Sequence, residues 1–168
     1  MNMEHNVWLL LGTNLGNKAQ NLMAATGAIR TFLGTVINQS HIYETEPWGR
    51  SHQPLFYNQV LQIQTPSTAL ETLHHIKQIE FLLGRDGKEK WAPRTLDIDI
   101  LFFDALNVES PLLTIPHKHL HERRFTLEPL FELAPELVHP VFNKTIAELR
   151  ADCIDPLAVS KLDSVYKF

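Results

Sequence analysis

Thr95-Leu96-Asp97-Ile98-Asp99-Ile100-Leu101-Phe102 decides the fold: an apolar run carrying two aspartates, entered from the basic loop Arg85-Asp86-Gly87-Lys88-Glu89-Lys90-Trp91-Ala92-Pro93-Arg94. Its residues alternate. Thr95, Asp97 and Asp99 point one way, and Leu96, Ile98 and Ile100 the other. On a strand the two aspartate Cα atoms lie about 7 Å apart, and their carboxylates can come closer. At about 5 Å and an effective dielectric of about 20, the two charges repel by about 3 kcal/mol. A cation relieves that repulsion, and hard oxygen ligands suit Mg²⁺. The loop adds positive charge, four Lys or Arg against two acids. Metal-holding carboxylates beside a basic loop are suited to a polyphosphate. A bare Asp-x-Asp is also common on solvent-facing edge strands. Aspartate is disfavoured in strands, however, and the preceding Trp91-Ala92-Pro93-Arg94 is no ordinary turn.

Outward from this stretch the chain alternates strands and helices. Val7 to Leu11 is a short apolar run that predicts a buried strand. Gly12-Thr13-Asn14-Leu15-Gly16-Asn17 follows as a loop, and lacks the Gly-Lys-Ser/Thr of a Walker loop. Leu22, Ala25, Ile29, Phe32 and Leu33 recur at helical spacing up to Gly34. Val36 to Thr45 predicts a strand, Glu46 to Pro54 a loop able to move, and Leu55 to Gln64 a two-faced strand. Thr65-Pro66 predicts a helix start, with Leu70, Leu73, Ile76 and Leu83 on its buried face and Gly84 at its end. After the aspartate strand come a turn over Asp104 to Asn107 and an extended piece from Leu112 to Ile115. A helical stretch from Arg124 to Leu133 is expected to break at Pro129. Thr145-Ile146-Ala147-Glu148 matches a capping box, and Val165 to Phe168 reads as an edge strand. Strand, helix, strand, strand, helix, strand is the split βαβ pattern of ferredoxin-like folds. The fold class expected is α+β, with a mainly antiparallel sheet, helices packed on one face, and C-terminal additions.

The 168 residues suit one domain spanning 1–168. Hydrophobic content of 44% and charged content of 20% are ordinary for a globular chain. A net charge of −4 argues against nucleic-acid binding. Cys153 is the single cysteine, which excludes an internal disulfide and fits a reducing compartment. The opening Met1-Asn2-Met3-Glu4 lacks a basic leader region, and no apolar run approaches membrane-spanning length. The expectation is a mature cytoplasmic chain, monomeric, with no membrane segment.

Gly84-Arg85 followed by Trp91-Ala92-Pro93-Arg94-Thr95-Leu96-Asp97-Ile98-Asp99-Ile100-Leu101 resembles the signature of the 6-hydroxymethyl-7,8-dihydropterin pyrophosphokinases of the folate pathway. The resemblance extends over nearly the whole chain, through Gly12-Thr13-Asn14-Leu15-Gly16, Tyr43-Glu44-Thr45, Asn58, Ile115-Pro116-His117 and Arg123-Arg124-Phe125. It implies a ferredoxin-like fold and transfer of pyrophosphate from ATP to the pterin hydroxymethyl group, with AMP as product. It implies that Asp97 and Asp99 hold two Mg²⁺ ions, with Arg85 and Arg94 as catalytic phosphate ligands. Leu73, Lys77, Glu80, Lys88, Lys90, Trp91, Arg94, Ile100, Thr114, His117, Lys118 and Arg123 fall at ATP-binding positions, with Trp91 as a lid residue. Phe56 and Phe125 align with the pair that stacks the pterin, and Thr45 and Asn58 with residues bonding its edge. Glu46 and Trp48 lie in the loop over the ring.

The chain departs from the family pattern in places. The basic loop is one residue shorter between Gly84 and Trp91, and Gly87 and Lys90 stand where arginine is frequent. Glu46 stands where proline is common, Trp48 where a smaller apolar residue is, and Lys77 replaces a neutral amide. His119 and His121 read as surface histidines, and Arg124, where glycine is frequent, as a surface residue.

Two rival functions differ in what they release or bind. A metal-dependent nucleotidyl- or glycosyl-transferase would use Asp97-x-Asp99 and release pyrophosphate or a nucleoside diphosphate. A non-catalytic ferredoxin-like module binding RNA would want sheet aromatics on a basic surface.

Overall fold

The computed structural model describes residues 3–84 and 95–163. The strand predicted over 165–168 and the basic loop 85–94 lie outside these. The elements run β1 (His5–Thr13), α1 (Lys18–Phe32), β2 (Thr35–Gln39), β3 (Tyr43–Thr45), β4 (Phe56–Thr65), α2 (Ala69–Leu82), β5 (Asp97–Phe103), β6 (Val108–Glu109), β7 (Thr114–Ile115), α3 (Arg124–Leu133), α4 (Ile146–Asp152) and β8 (Val159–Lys161). A 3₁₀ turn at Leu120–Glu122 leads into α3.

The main sheet has the order β5-β1-β4-β3-β8, with β2 also on β4. Every pairing in it is antiparallel. β1 and β2 both run against β4, so they are parallel to each other with β4 inserted between them. That is the split βαβ arrangement of a ferredoxin-like α+β fold. The stretch expected as one strand over 36–45 is two. β2 follows β4 from Thr35↔Gln64 to Gln39↔Leu61, its register shifting between Val36 and Asn38, and β3 resumes at Tyr43↔Asn58.

Helices pack on both faces of the sheet, not on one as the pattern of the first half suggests. Val7, Leu9, Leu11, Leu61, Ile63, Ile98 and Ile100 meet Leu22, Ile29, Ile76 and Ile79 of α1 and α2. Trp8, Leu10, Val60, Leu101 and Phe102 meet Leu127, Leu130, Ile146 and Leu149 of α3 and α4. β1 is buried from Val7 to Thr13 because it has a core on either side, and a two-sided strand reads as an unbroken apolar run.

Local chemistry moves some of the expected boundaries. α2 starts at Ala69, not at Pro66. Thr68 accepts the Glu71 N–H and the Glu71 carboxylate takes the Thr68 N–H, a closed capping box. That start sets the buried stripe at Thr72, Ile76, Ile79 and Glu80, and leaves Leu70 exposed. α3 runs through Pro129 rather than breaking there. Pro129 forfeits one backbone hydrogen bond, but Thr126, Leu127 and Leu130 are buried on either side of it. The predicted capping box at Thr145 and Glu148 is present at the start of α4. Gly34 is required where α1 hands over to β2, since a Cβ there would lie 2.1 Å from the Gln64 carbonyl oxygen.

Candidate active site

Four adjacent strands turn one strip of residues toward the α3 side of the sheet. The register pairs Thr45 with Phe56, and pairs Gly12 with Asn58 on one side and Asp97 on the other. Leu10 pairs with Asp99 one step along. Directly opposed residues share a face, so Thr45, Phe56, Asn58, Leu10, Gly12, Asp97 and Asp99 line one surface. α3 and α4 cover that surface at one end and leave the other open. The open end is a pocket of about 320 Å³. It is walled by that strip and by Glu46, Trp48, Lys77, His117, Lys118, His119, Arg123 and Phe125.

At one side of the pocket Asn58 is buried and donates from Nδ2 to Thr45 Oγ1 at 2.7 Å. Its Oδ1 stands over Gly12, where a Cβ would be 2.8 Å away. Gly12 is thus a gap kept open in the floor between Asn58 and Asp97. Two strand spacings place those residues about 10 Å apart at Cα. Phe56 and Phe125 supply the aromatic walls. The Arg123 guanidinium is buried, 4.4 Å from the Trp48 ring centre and 5.6 Å from that of Phe125. Such contacts fix a guanidinium by its flat face.

At the other side the two aspartates stand on β5. Burial pushes the Asp99 carboxyl up to about 7; the Asp97 charge adds to this, and Arg123 opposes it. His117 Nε2 is 3.8 Å from Asp99 Oδ2. Burial, with Arg123 and His119 nearby, lowers the His117 imidazole to about 4, so at neutral pH the ring is uncharged. Two oxygen-donor carboxylates in a pocket are a donor set that Mg²⁺ accepts alongside substrate phosphates. A divalent cation there would offset both the burial and the neighbouring Asp97 charge that raise Asp99. The residues present therefore fit the ion.

Not every residue aligned with the ATP site meets the pocket. Ile100 is 5% exposed and packs in the α1/α2 core, on the opposite face of β5 from the aspartates. Leu73 packs against that same core. Glu80 is buried beneath β5, where one carboxylate oxygen takes the Ile98 N–H at 2.9 Å and the other meets Lys77 Nζ at 3.3 Å. Thr114 sits on β7 opposite Glu109. Arg85, Lys88, Lys90, Trp91 and Arg94 lie outside the described residues.

Sequence reasoning gave no role to Leu10, Gly12 or His119, which all line the pocket. A glycine ending an apolar strand run was the usable signal for Gly12, since such a residue often marks close approach of a ligand. His119 is not a plain surface histidine. Its ring lies 5.5 Å from Trp48 and Nδ1 is 2.8 Å from a Glu122 oxygen. His121 packs edge-on against Phe142 at 4.6 Å. Arg124 is half-buried and hydrogen-bonded to Cys153 and Asp155.

A ferredoxin-like sheet whose open end carries paired carboxylates at one side and aromatic walls at the other defines a class of site: one suited to a metal-bound polyphosphate beside a flat, polar-edged molecule. Comparison with known proteins narrows it. The family model described as 7,8-dihydro-6-hydroxymethylpterin-pyrophosphokinase (HPPK) matches residues 8–135. The 2-amino-4-hydroxy-6-hydroxymethyldihydropteridine pyrophosphokinase of Aquifex aeolicus is 35% identical over 87% of this chain and 91% of its own. That of Methylorubrum extorquens is 36% identical over 93% of this chain and 98% of its own. A crystal structure of Plasmodium falciparum HPPK-DHPS superposes with a TM-score of 0.75 at 21% identity, covering 89% of this chain and 45% of that one. The chain belongs to the 7,8-dihydro-6-hydroxymethylpterin-pyrophosphokinase family. Its match to the family model ends before α4 and β8 begin.

Proposed function

We infer that the chain transfers pyrophosphate from ATP to the hydroxymethyl group of 6-hydroxymethyl-7,8-dihydropterin, a step of folate biosynthesis. The observation that carries this reading is the row Asn58–Gly12–Asp97 across β4, β1 and β5. A flat ring held between Phe56 and Phe125 lies over the gap at Gly12, with its edge on Asn58 and Thr45. Its hydroxymethyl arm then points toward Asp97 and Asp99. Aromatic faces with a few convergent polar groups are what a pterin needs. Glu46 and Trp48 close the same side.

The hydroxymethyl oxygen attacks the β-phosphorus of ATP. An O–Pβ bond forms, the bond from Pβ to the α–β bridging oxygen breaks, and that oxygen leaves on AMP. The hydroxyl proton is released. Such transfer depends on positioning and on neutralising charge more than on covalent help. Asp97 and Asp99 are assigned as ligands of two Mg²⁺ ions. Bound Mg²⁺ would neutralise charge on the phosphates and hold attacking and leaving oxygens in line. Arg123, Lys77 and Lys118 supply positive charge at the pocket wall. The neutral His117 ring can donate one hydrogen bond to a phosphate oxygen without competing for a metal charge.

We assign the chain as a monomeric single domain acting in the cytoplasm; its buried, unpaired Cys153 supports a reducing compartment. Among the described residues no helix is long and apolar enough to cross a membrane. The test is product analysis. Protein, ATP, Mg²⁺ and the hydroxymethyl pterin should yield AMP and the pterin diphosphate. ADP as product, or no nucleotide consumed, overturns the reading.

A further inference from the structure

The two flanks of the pterin side are carried by different elements. Thr45, Glu46 and Trp48 follow from β3, while Arg123 and Phe125 enter α3. Both flanks are bonded to one segment, residues 153–161. On the α3 side, Arg123 is the N-cap residue but gives no side-chain cap. Asp155, buried, supplies one from far along the chain: Oδ2 accepts the Arg124 N–H at 3.0 Å, and Oδ1 accepts the Leu157 N–H at 3.1 Å. A carboxylate at a helix N-terminus is favoured by the exposed amides and by the helix dipole. The Arg124 side chain donates back to the Asp155 carbonyl at 3.1 Å and to the Cys153 carbonyl at 2.7 Å.

On the β3 side, the Ala158 N–H donates to the Glu46 carboxylate at 2.9 Å, and the Glu46 N–H donates to the Ala158 carbonyl at 3.2 Å. Proline, common at the position of Glu46 in the family, could make neither bond. Val159 to Lys161 then pair with Thr45 to Tyr43. The far end of α3 is tied to β3 by Glu132, which takes the Tyr43 hydroxyl at 2.7 Å. The near end, which carries Phe125, is held through residues 153–158.

We propose that residues 153–161 form a strap that sets the separation of the two walls of the pterin pocket, with Asp155 as its positioning residue through the Arg124 amide and Arg124 as its counterpart. The proposal rests on the pterin-side reading above. Asp155 does not line the pocket. It places Phe125 relative to Thr45 and Trp48, and Arg123 alone of the described ATP-side residues adjoins it, so its loss acts mainly on the pterin side.

The experiment compares wild type, Asp155→Ala, Asp155→Asn and Arg124→Ala. Steady-state kinetics are run with each substrate varied, and amide exchange is followed over residues 45–49 and 123–127. Asp155→Ala should raise the pterin KM about tenfold and the ATP KM, through Arg123, by no more than about threefold. Asp155→Asn, whose one amide oxygen can still accept the Arg124 N–H but whose NH₂ cannot accept the Leu157 N–H, should recover part of the loss. Exchange should rise in both stretches together. Pterin and ATP KM values moving equally, or exchange rising at 123–127 alone, overturns the strap. If Asp155→Ala does not fold, Arg124→Ala decides, because it keeps the capped amide but removes both side-chain bonds to the strap, along with a 3.5 Å contact to Glu128 within α3. A raised pterin KM in that variant supports the strap, and an unchanged one overturns it. Wild type without turnover refutes the activity, while the exchange arm still judges the strap.

Discussion

The two faces of the sheet are built from the same strands and end differently. On the α1/α2 face, Ile98 and Ile100 continue the apolar surface of Leu9 and Leu11 until helices cover all of it. On the α3/α4 face the cover stops short, and where it stops the strands carry Asp97, Asp99, Asn58 and a glycine instead of aliphatic side chains. Function sits where sealing ends. Polar groups are tolerated there because a ligand, rather than a helix, is to meet them. One strand thus serves both purposes, β5 sealing with its even positions near the start and exposing acids with its odd ones.

The largest effect expected is at the open end. Asp97→Ala should lower turnover by about 10³-fold or more, since it removes half of the carboxylate pair. The melting temperature should hold or rise, because the variant also removes a charge that pushes Asp99 toward protonation. AMP formation and thermal unfolding measured on the same preparation check both. Turnover within about tenfold of wild type would break the contrast between the faces.

The sealed part of the α3/α4 face makes the next prediction, through one buried imidazole. His139 packs edge-on to Phe102 at 5.6 Å and stacks on Phe142 at 4.4 Å. Its Nδ1 accepts the Val141 and Phe142 amides at 3.2 and 3.3 Å. Burial, with a contribution from His121, lowers it to about 4. The unfolded chain has the ordinary value near 6.5 and takes up the proton first as pH falls. Its contribution to stability is therefore complete above pH 6.5 and declines toward pH 4, by about 3 kcal/mol in all. His139→Asn keeps an acceptor for the two amides and cannot titrate. Urea unfolding at pH 7 and pH 4 should show wild type losing about that much more than the variant, and parallel losses would refute it.

How much of this was legible in the chain follows the same division. The alternation at 95–100 declared which side of β5 would be apolar, and both capping and helical spacing placed α1, α2 and α4 to within a few residues. The two-sided cover did not declare itself, because Arg124–Leu133 carries a proline that reads as a break until Thr126, Leu127 and Leu130 are seen buried around it. Within the pocket, Thr45, Phe56 and Asn58 were reached through the resemblance, and period two added only that Phe56 and Asn58, like Asp97 and Asp99, share a face. Leu10 and Gly12 were passed over, because a leucine in an apolar run and a glycine at its end each have an ordinary explanation. Arg124 and Asp155 are 31 positions apart, and no local pattern links them.

Gly12 offers the next smaller effect at the open end. Gly12→Ala would place a methyl 2.8 Å from Asn58 Oδ1, and Asn58 is held by Thr45 on its other side. The side chain must shift, and a displaced ring-edge partner should raise the pterin KM about tenfold, with ATP nearly unaffected. Varying each substrate in turn measures it; equal changes in both KM values would mean that the gap serves the backbone and not the ring.

The smallest effect expected tests the sealed face directly. Resemblance to the family puts Ile100 at an ATP-binding position, and its side chain packs in the α1/α2 core on the far side of β5 from the aspartates. Ile100→Val removes one methylene from that core and should cost about 1 kcal/mol of stability. If the two faces are as separate as the packing makes them, the ATP KM should stay within about twofold. A rise in that KM without the stability loss would mean that β5 serves the nucleotide from both of its sides, and that the sealed face is less closed to ligands than its apolar packing implies.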